Sequence, residues 1–425
     1  MSKAIEKIRR LDDAACEAKL KTLYGEEQLA AQKERYAELI RRHEDSYGET
    51  EKLFLVSAPG RTEIGGNHTD HNNGRVLAAS VNLDALCAVS PRTDHEVRFN
   101  SQGYRPIRMS LEELAPQENE RGTTRSLIRG VAAGMKNAGY AIGGFDAVVT
   151  STVASGSGLS SSAALEVMLT GVLDALYNRF DMPYVLRAQI SQRAENTFFG
   201  KPSGLLDQMA SAAGGLVTVD FRDNLKPEIR PLQYDFAAKG YALVVTATGG
   251  SHANLTDQYA AIPAEMKQVA AFFGQETLRG ITAEQVTENL GALRKKVSDR
   301  ALLRTYHFIR EDERVPKQVD ALEKDDLKRF LELITESGRS SFMYLQNVFA
   351  DTKDQSLSLA LCIAEDLLKG KGAWRIHGGG FAGTTLNFVP ADQVESFVSV
   401  MENAFGSGCC HVLNIRPQGA ACLTL

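Results

Sequence analysis

The segment from Val153 to Leu165 reads Val-Ala-Ser-Gly-Ser-Gly-Leu-Ser-Ser-Ser-Ala-Ala-Leu and constrains this chain more than any other stretch. Gly156 and Gly158 precede three consecutive serines, Ser160, Ser161 and Ser162. A strand-like run, Phe145 to Thr150, comes just before, and a helical run from about Leu159 to Tyr177 begins on the loop. Strand, Gly/Ser loop and helix start together suit an anion. Glycines let the backbone approach it, and the first N–H groups of a helix have no internal partners and point at it. Serine hydroxyls add donors and can reach a metal ion. The segment therefore predicts a phosphorylated ligand, most simply a nucleotide. The alternative is an ordinary helix with a serine cap. No Gly-Lys-Ser/Thr follows, so this is not a Walker A loop. Gly156-Ser157-Gly158 is too short for the nucleophile elbow of hydrolases.

At 425 residues the chain has room for two or three domains. A net charge of −5 argues against a nucleic-acid binder, which would show a basic excess. The charged N-terminus lacks the apolar stretch of a signal peptide, and no apolar run is long enough for a membrane span. The six cysteines are scattered, without a Cys-x-x-Cys pair, which predicts a reduced, cytoplasmic protein. Residues 1–48 read as one or two amphipathic helices packed on the main body. Strands are expected at Lys52–Ser57, Leu77–Val81, Ala85–Ser90, Gly215–Phe221, Tyr241–Thr246, Thr385–Phe388 and His411–Asn414. Helices are expected at Thr124–Asn137, at Pro183–Thr197, through most of Thr256–Leu368, and at Ala391–Phe405. This order predicts an α+β protein with two closely packed lobes.

Three more segments carry chemistry. The loop from Ala58 to Asn73 packs Arg61, Glu63, His68, Asp70 and His71 among amides and glycines, a surface suited to sugar hydroxyls. His68 and His71 match no recognised metal spacing. In Arg193–Gln208, Glu195 falls near a helix end, and Asp207 follows a Pro-Ser-Gly turn. Asp207 could accept a proton in catalysis or cap the next helix; spacing leaves both open. The run from Ile376 to Thr385 holds Gly378, Gly379, Gly380 and Gly383, which predicts either close approach to a phosphate chain or a tight turn.

Together these segments resemble the GHMP kinase superfamily and, within it, the galactokinase family. The resemblance runs from about Lys52 to the C-terminus. The superfamily's Gly-x-Gly-Leu-Ser-Ser-Ser-Ala matches Gly156–Ala163 completely. The family's Gly-Arg-x-Asn-x-Ile-Gly-Glu-His-Thr-Asp-Tyr matches at Gly60, Arg61, Gly66, His68, Thr69 and Asp70. Its Gly-x-x-Asp-Gln matches Gly204–Gln208, with the upstream Ala-Glu at Ala194-Glu195. Gly-Gly-Gly-Phe-Gly-Gly matches Gly378–Gly383, with Ala382 for one glycine. His307 with Glu311 through Val315 resembles the family's middle helix.

The resemblance implies a two-lobed α+β GHMP kinase fold. Its N-terminal lobe is mixed sheet and helices, like domain 2 of ribosomal protein S5; its C-terminal lobe is α/β, and the active site lies between. Residues 1–50 would form a helical extension, 51–220 the N-terminal domain and 221–425 the C-terminal domain. The implied activity is ATP-dependent phosphorylation of galactose at its C1 hydroxyl, the first committed step of galactose catabolism. Asp207 carries over as the base, with Arg61 supporting it. Sugar contacts carry over onto Asn67, His68, Asp70, Gly204, Asp207 and Tyr259. ATP contacts carry over onto Gly156, Ser157, Gly158, Leu159, Ser160, Ser161, Ser162, Gly379 and Gly380, and Mg2+ contacts onto Ser162 and Glu195. The expected partners are a small sugar and ATP, with no nucleic acid and no membrane, for a monomer or weak oligomer.

The departures cluster at the sugar end. Asn67 stands for the family's glutamate, a ligand of a sugar hydroxyl; His71 for a tyrosine, Glu63 for an asparagine and Gly65 for an isoleucine. Ala260, Ala261 and Ile262 follow Tyr259 where the family has paired arginines. Two further readings therefore stand beside galactose phosphorylation. One is a related 1-kinase for N-acetylgalactosamine, arabinose or a uronic acid; the other is a non-catalytic sensor of galactose and ATP.

Overall fold

Alternation along the strands sets the architecture. The computed structural model describes residues 3–153, 158–249, 255–349, 353–381 and 383–425. Its strands are β1 (Phe54–Gly65), β2 (Arg75–Pro91), β3 (Glu96–Ser101), β4 (Ile107–Ser110), β5 (Phe145–Ser151), β6 (Leu216–Asp220), β7 (Glu228–Leu232), β8 (Tyr241–Ala247), β9 (Ala373–His377), β10 (Thr384–Pro390), β11 (Cys410–Leu413) and β12 (Ala421–Thr424). Eight form one sheet in the order β12-β1-β2-β5-β3-β4, with β6 paired to β2 and β7 to β6. The other four form a sheet in the order β11-β8-β10-β9.

Successive residues of a strand face opposite sides. Val56, Cys87, Val89, Ala147 and Val149 enter the main core against the helix Ser161–Tyr177. Leu55, Leu86, Ala88 and Val148, with Leu423 of β12, face the other way. That second face is covered by the N-terminal extension, whose Leu20, Leu23, Tyr36, Leu39 and Ile40 pack there. The extension is three helices, Lys3–Arg9, Ala14–Tyr24 and Leu29–Tyr47, rather than one or two. Gly25, in the left-handed region at φ 86°, ends the second. A buried polar knot ties the extension down. Asp84 of β2 accepts from Arg35 at 2.6 Å, Tyr24 at 2.5 Å, Arg416 at 3.3 Å and the Ser57 hydroxyl.

Several expectations shift. The two runs Leu77–Val81 and Ala85–Ser90 are one strand, β2. Asn82 and Asp84 break the apolar pattern but not the strand, because both side chains find partners, Asn82 Oδ1 accepting from Asn414 N at 3.0 Å. β3, β4, β7, β9 and β12 were not anticipated; β9 is disguised by Arg375 and His377, both buried. The helix at Pro183–Thr197 is an α-helix, Tyr184–Arg193, that widens into a π-turn, Ala194–Phe199. β7 and β12 both belong to the eight-stranded sheet, so the chain crosses back over residue 220 rather than dividing cleanly there. Among the described residues no helix is long and apolar enough to cross a membrane.

Candidate active site

The two sheets meet along the end of β1. Thr62 Oγ1 lies 3.1 Å from His377 Nε2 of β9, and Arg375 of the same strand donates to Glu63 at 2.6 Å. β1 pairs regularly with β2 from Arg61↔Ser80 to Glu63↔Ala78, so Arg61 and Glu63 share one face of the strand.

Arg61 is the hub on that face. Its Nε donates to Asp207 Oδ1 at 2.7 Å and its NH1 to the Gly158 carbonyl at 2.6 Å. The other Asp207 oxygen accepts from the Ser160 hydroxyl. Asp207 lies in the first turn of the helix Leu206–Ala213 and does not cap it; its side chain stays 31% exposed, against 8% for Arg61. Burial alone would push the Asp207 carboxyl up, but the charge and hydrogen bond of Arg61, with Ser160, hold it below its ordinary value. Asp207 is an ionised acceptor at neutral pH.

Ser160 also settles the simpler reading of its helix. It occupies the N-cap position of Ser161–Tyr177 at φ 57°, yet its hydroxyl does not cap. It turns to Asp207 instead, leaving the first-turn N–H groups without a side-chain cap. Leu159 is fully buried, and its carbonyl accepts from Arg61 N at 3.1 Å, anchoring the loop on β1. Gly158 sits at φ 72°, where a Cβ would meet Thr384 Oγ1 at 2.3 Å. Gly156, Ser157 and Ala382 lie outside the described residues.

Two residues beyond Ser160, Ser162 Oγ donates to Glu195 Oε1 at 3.1 Å. Glu195, on the π-turn, also accepts from Lys201 at 2.9 Å, Ser203 at 2.6 Å and Gln208 at 3.0 Å. Gln208 donates as well to Glu166, one turn below Ser162. Burial, then the nearby charge of Glu195, raises the Glu166 carboxyl well above its ordinary value. Among the described residues no three His, Cys, Asp or Glu side chains cluster to hold a metal by themselves.

The sugar-type loop packs against the middle of the chain. Glu311, on the helix Asp299–Glu323, accepts from Gly66 N at 3.1 Å and from Ser337 at 2.6 Å. His307 on the same helix lies 2.9 Å from the Asn67 carbonyl. Asp70 Oδ1 accepts from His71 N at 3.0 Å. Gly204 is pressed against Asp70: a Cβ there would sit 1.8 Å from Oδ2. Burial, then the charges of Asp207 and Glu63, raises Asp70 to about 7. His68 and His71 lie 3.3 Å apart, and burial lowers both, keeping them neutral.

One expectation changes in this region, that for Asn67. Asn67 is 0% exposed and its amide is saturated. Nδ2 donates to Glu63 at 2.9 Å and to the Gly378 carbonyl at 2.8 Å; Oδ1 accepts from Ser341 and Asn347, each at 3.1 Å. No capacity is left for a sugar hydroxyl. The glycines at 379 and 380 lie close to protein on the side a Cβ would take. A Cβ on Gly379 would meet the Tyr259 ring at 2.5 Å, and one on Gly380 the Asn347 carbonyl at 2.1 Å. The Gly379 carbonyl lies 3.1 Å from His68 Nε2, and that of Gly380 accepts from the Tyr259 hydroxyl at 2.8 Å. Sequence reasoning did not anticipate Lys201, Ser203, Glu166, Arg375 or Asn347. Helical spacing from Ser162 to Glu166 was the one signal available.

Among the described residues, three of the eight non-glycine positions in the left-handed region lie here: His68 at φ 57°, Ser160 at 57° and Phe381 at 63°. Such backbone strain, about 1–3 kcal/mol each, collects at binding and catalytic sites.

Comparison with known proteins gives first the class and then the family. The model of the GHMP kinases N terminal domain matches residues 126–215, and the galactokinase galactose-binding signature matches residues 41–91. The crystal structure of Lactococcus lactis galactokinase complexed with galactose superposes with a TM-score of 0.78 at 25% identity, covering 92% of this chain and 99% of that one. These matches define a GHMP kinase fold. The galactokinase of Streptomyces coelicolor is 33% identical over 371 residues, 86% of this chain and 92% of its own length. That of Streptomyces lividans is 32% identical over 353 residues, 82% of this chain and 85% of its own. The chain belongs to the galactokinase family. It is a sugar kinase that uses ATP.

Proposed function

We propose that this enzyme transfers the γ-phosphoryl group of ATP to the C1 hydroxyl of galactose, giving galactose 1-phosphate and ADP. The observation that carries the reading is the Asp207 carboxylate, held by Arg61 on one oxygen and Ser160 on the other. It stands between the start of the helix Ser161–Tyr177 and the loop bearing Asp70. The triphosphate would lie at that helix start, on free N–H groups and the hydroxyls of Ser161 and Ser162. The sugar would lie over Asp70, Gly204 and His68.

Phosphoryl transfer passes through a loose transition state, so positioning and charge do most of the work. Asp207 orients the C1 hydroxyl and takes its proton. Its lowered pKa makes it a weak base, which suits late proton loss. Arg61 keeps Asp207 ionised and offsets charge building on the transferred group. Asp70, raised to about 7, can both donate to and accept from sugar hydroxyls near neutral pH.

Ser162 and Glu195 fit Mg2+. Both offer hard oxygen donors side by side, 3.1 Å apart, and would hold the ion through them. Mg2+ keeps several waters and uses phosphate oxygens, so two protein ligands suffice. When bound it neutralises the triphosphate. The six unpaired cysteines and the use of ATP support action in the cytoplasm.

The experiment is ADP release from Mg-ATP against galactose, N-acetylgalactosamine, arabinose, glucose and galacturonate, with a no-sugar control. Release that depends on galactose above the others is the expected result. Preference for another sugar would remove galactose while keeping the kinase, and no release with any sugar would revive a sensor.

A further inference from the structure

We propose that Glu63 reads a hydroxyl of the sugar and that Asn67 is the strut holding Glu63 in place; the proposal rests on the sugar-kinase reading above. Glu63 shares the site face of β1 with Arg61, two residues away, or about 7 Å along a strand. Its charge acts on Arg61, His68 and Asp70, the groups that surround the sugar position.

The hydrogen bonds to Glu63 are lopsided. Arg375 NH2 at 2.6 Å and Asn67 Nδ2 at 2.9 Å both converge on Oε1. Among the described residues Oε2 accepts nothing. It is not one of the sealed, unpartnered atoms either, and the side chain keeps 9% exposure. Buried Arg–carboxylate pairs frequently close fork on fork, using both oxygens, as Arg129 and Glu120 do. Arg375 spends its other donors on the carbonyls of Ile64 and Ile376, the latter at 2.9 Å. One carboxylate oxygen is thus clamped and the other left to accept.

Asn67 has the opposite character, with every amide capacity used and no exposure. Compared with the family motif, the carboxylate and the amide have changed places between positions 63 and 67, and the two side chains touch. The pair is retained with its ends reversed. Replacing Asn67 alone by glutamate would set a second carboxylate beside Glu63 and Glu311, so that single change does not restore the motif.

The test is a cycle of kcat and KM for wild type and Glu63→Gln on galactose and on the monodeoxy sugars lacking the C2, C3, C4 or C6 hydroxyl. Loss of one charge-assisted hydrogen bond should lower kcat/KM on galactose about 10- to 100-fold, with KM for ATP unchanged. For the one sugar lacking the hydroxyl that Glu63 reads, wild type and variant should become equal. An equal loss on every sugar would overturn the proposal and leave Glu63 as the partner of Arg375 alone. Should Glu63→Gln fail to fold, the exchanged variant, Glu63→Asn with Asn67→Glu, keeps one carboxylate and one amide in the pair. It should change which deoxy sugar is insensitive, and a wild-type pattern would overturn the proposal. The wild-type arm tests galactose itself: if another sugar is phosphorylated, the galactose reading fails and the same cycle on that sugar's deoxy analogues still decides the role of Glu63.

Discussion

Replacing Asp207 by asparagine probes the chemistry with little change of shape. The amide can still accept from Arg61 Nε, now at 2.7 Å, through its oxygen. Its NH2 then faces Ser160, whose hydroxyl must accept instead of donate. The variant loses the group proposed to take the C1 proton and the negative charge beside Arg61. Removing a positioned base lowers turnover about 10²- to 10⁴-fold, about 2.7–5.5 kcal/mol in barrier at 1.36 kcal/mol per decade. Asp207 is 31% exposed, so solvent screens much of the lost ion pair and the folding penalty should stay near 1 kcal/mol. Arg61 also keeps its bond to the Gly158 carbonyl at 2.6 Å. Steady-state ADP release should show kcat falling by those factors while KM for galactose changes a few-fold at most. A melting curve should show a protein that is still folded. A kcat within about threefold of wild type would refute the assignment of Asp207 as the proton acceptor.

Three further outcomes are expected. Gly204→Ala forces Asp70 aside, since its Cβ would lie 1.8 Å from Oδ2; kcat/KM for the sugar should fall about 10²-fold with nucleotide affinity intact, and an unchanged sugar kcat/KM would remove Asp70 from the sugar site. His307, lowered by burial from 6.5 to about 4, must stay neutral in the folded protein. The unfolded chain takes up that proton first, so its stabilisation is complete above pH 6.5 and lost as pH falls toward 4, about 2 kcal/mol by pH 5. Urea midpoints should drop from pH 7 to 5 in wild type and less in His307→Gln; equal slopes would count against it. Asp84→Ala strands Arg35 and the fully buried Arg416, which should destabilise the protein by about 3–5 kcal/mol in urea unfolding, and a loss under 1 kcal/mol would show that the knot does not hold the extension.

Much of this was legible because the site is built from contiguous segments. Val153–Leu165 predicts an anion site through local rules alone, glycines before a helix start, and the helix Ser161–Tyr177 begins two residues from its expected place. Thr124–Asn137 was placed to the residue, since its apolar face has clean helical period. What stayed hidden depends on contacts distant in sequence. Nothing near Asn67 says that Ser341 and Asn347 will saturate its amide. Nothing near the glycines at 379 and 380 says that Tyr259 and Asn347 will fill the space a Cβ would need. β9 was missed because Arg375 and His377 look like surface residues until Glu63 and Thr62 meet them. The changes at 63 and 67 were visible as two departures; only their 2.9 Å contact makes them one.

The most direct test of the account is the rate of ADP release with Mg-ATP and galactose, with the phosphorylated product identified by NMR. The account predicts galactose-dependent turnover, a single product phosphorylated at C1, and loss of that turnover in Asp207→Asn. Galactose bound without ADP release, or phosphate on any other hydroxyl, would contradict it.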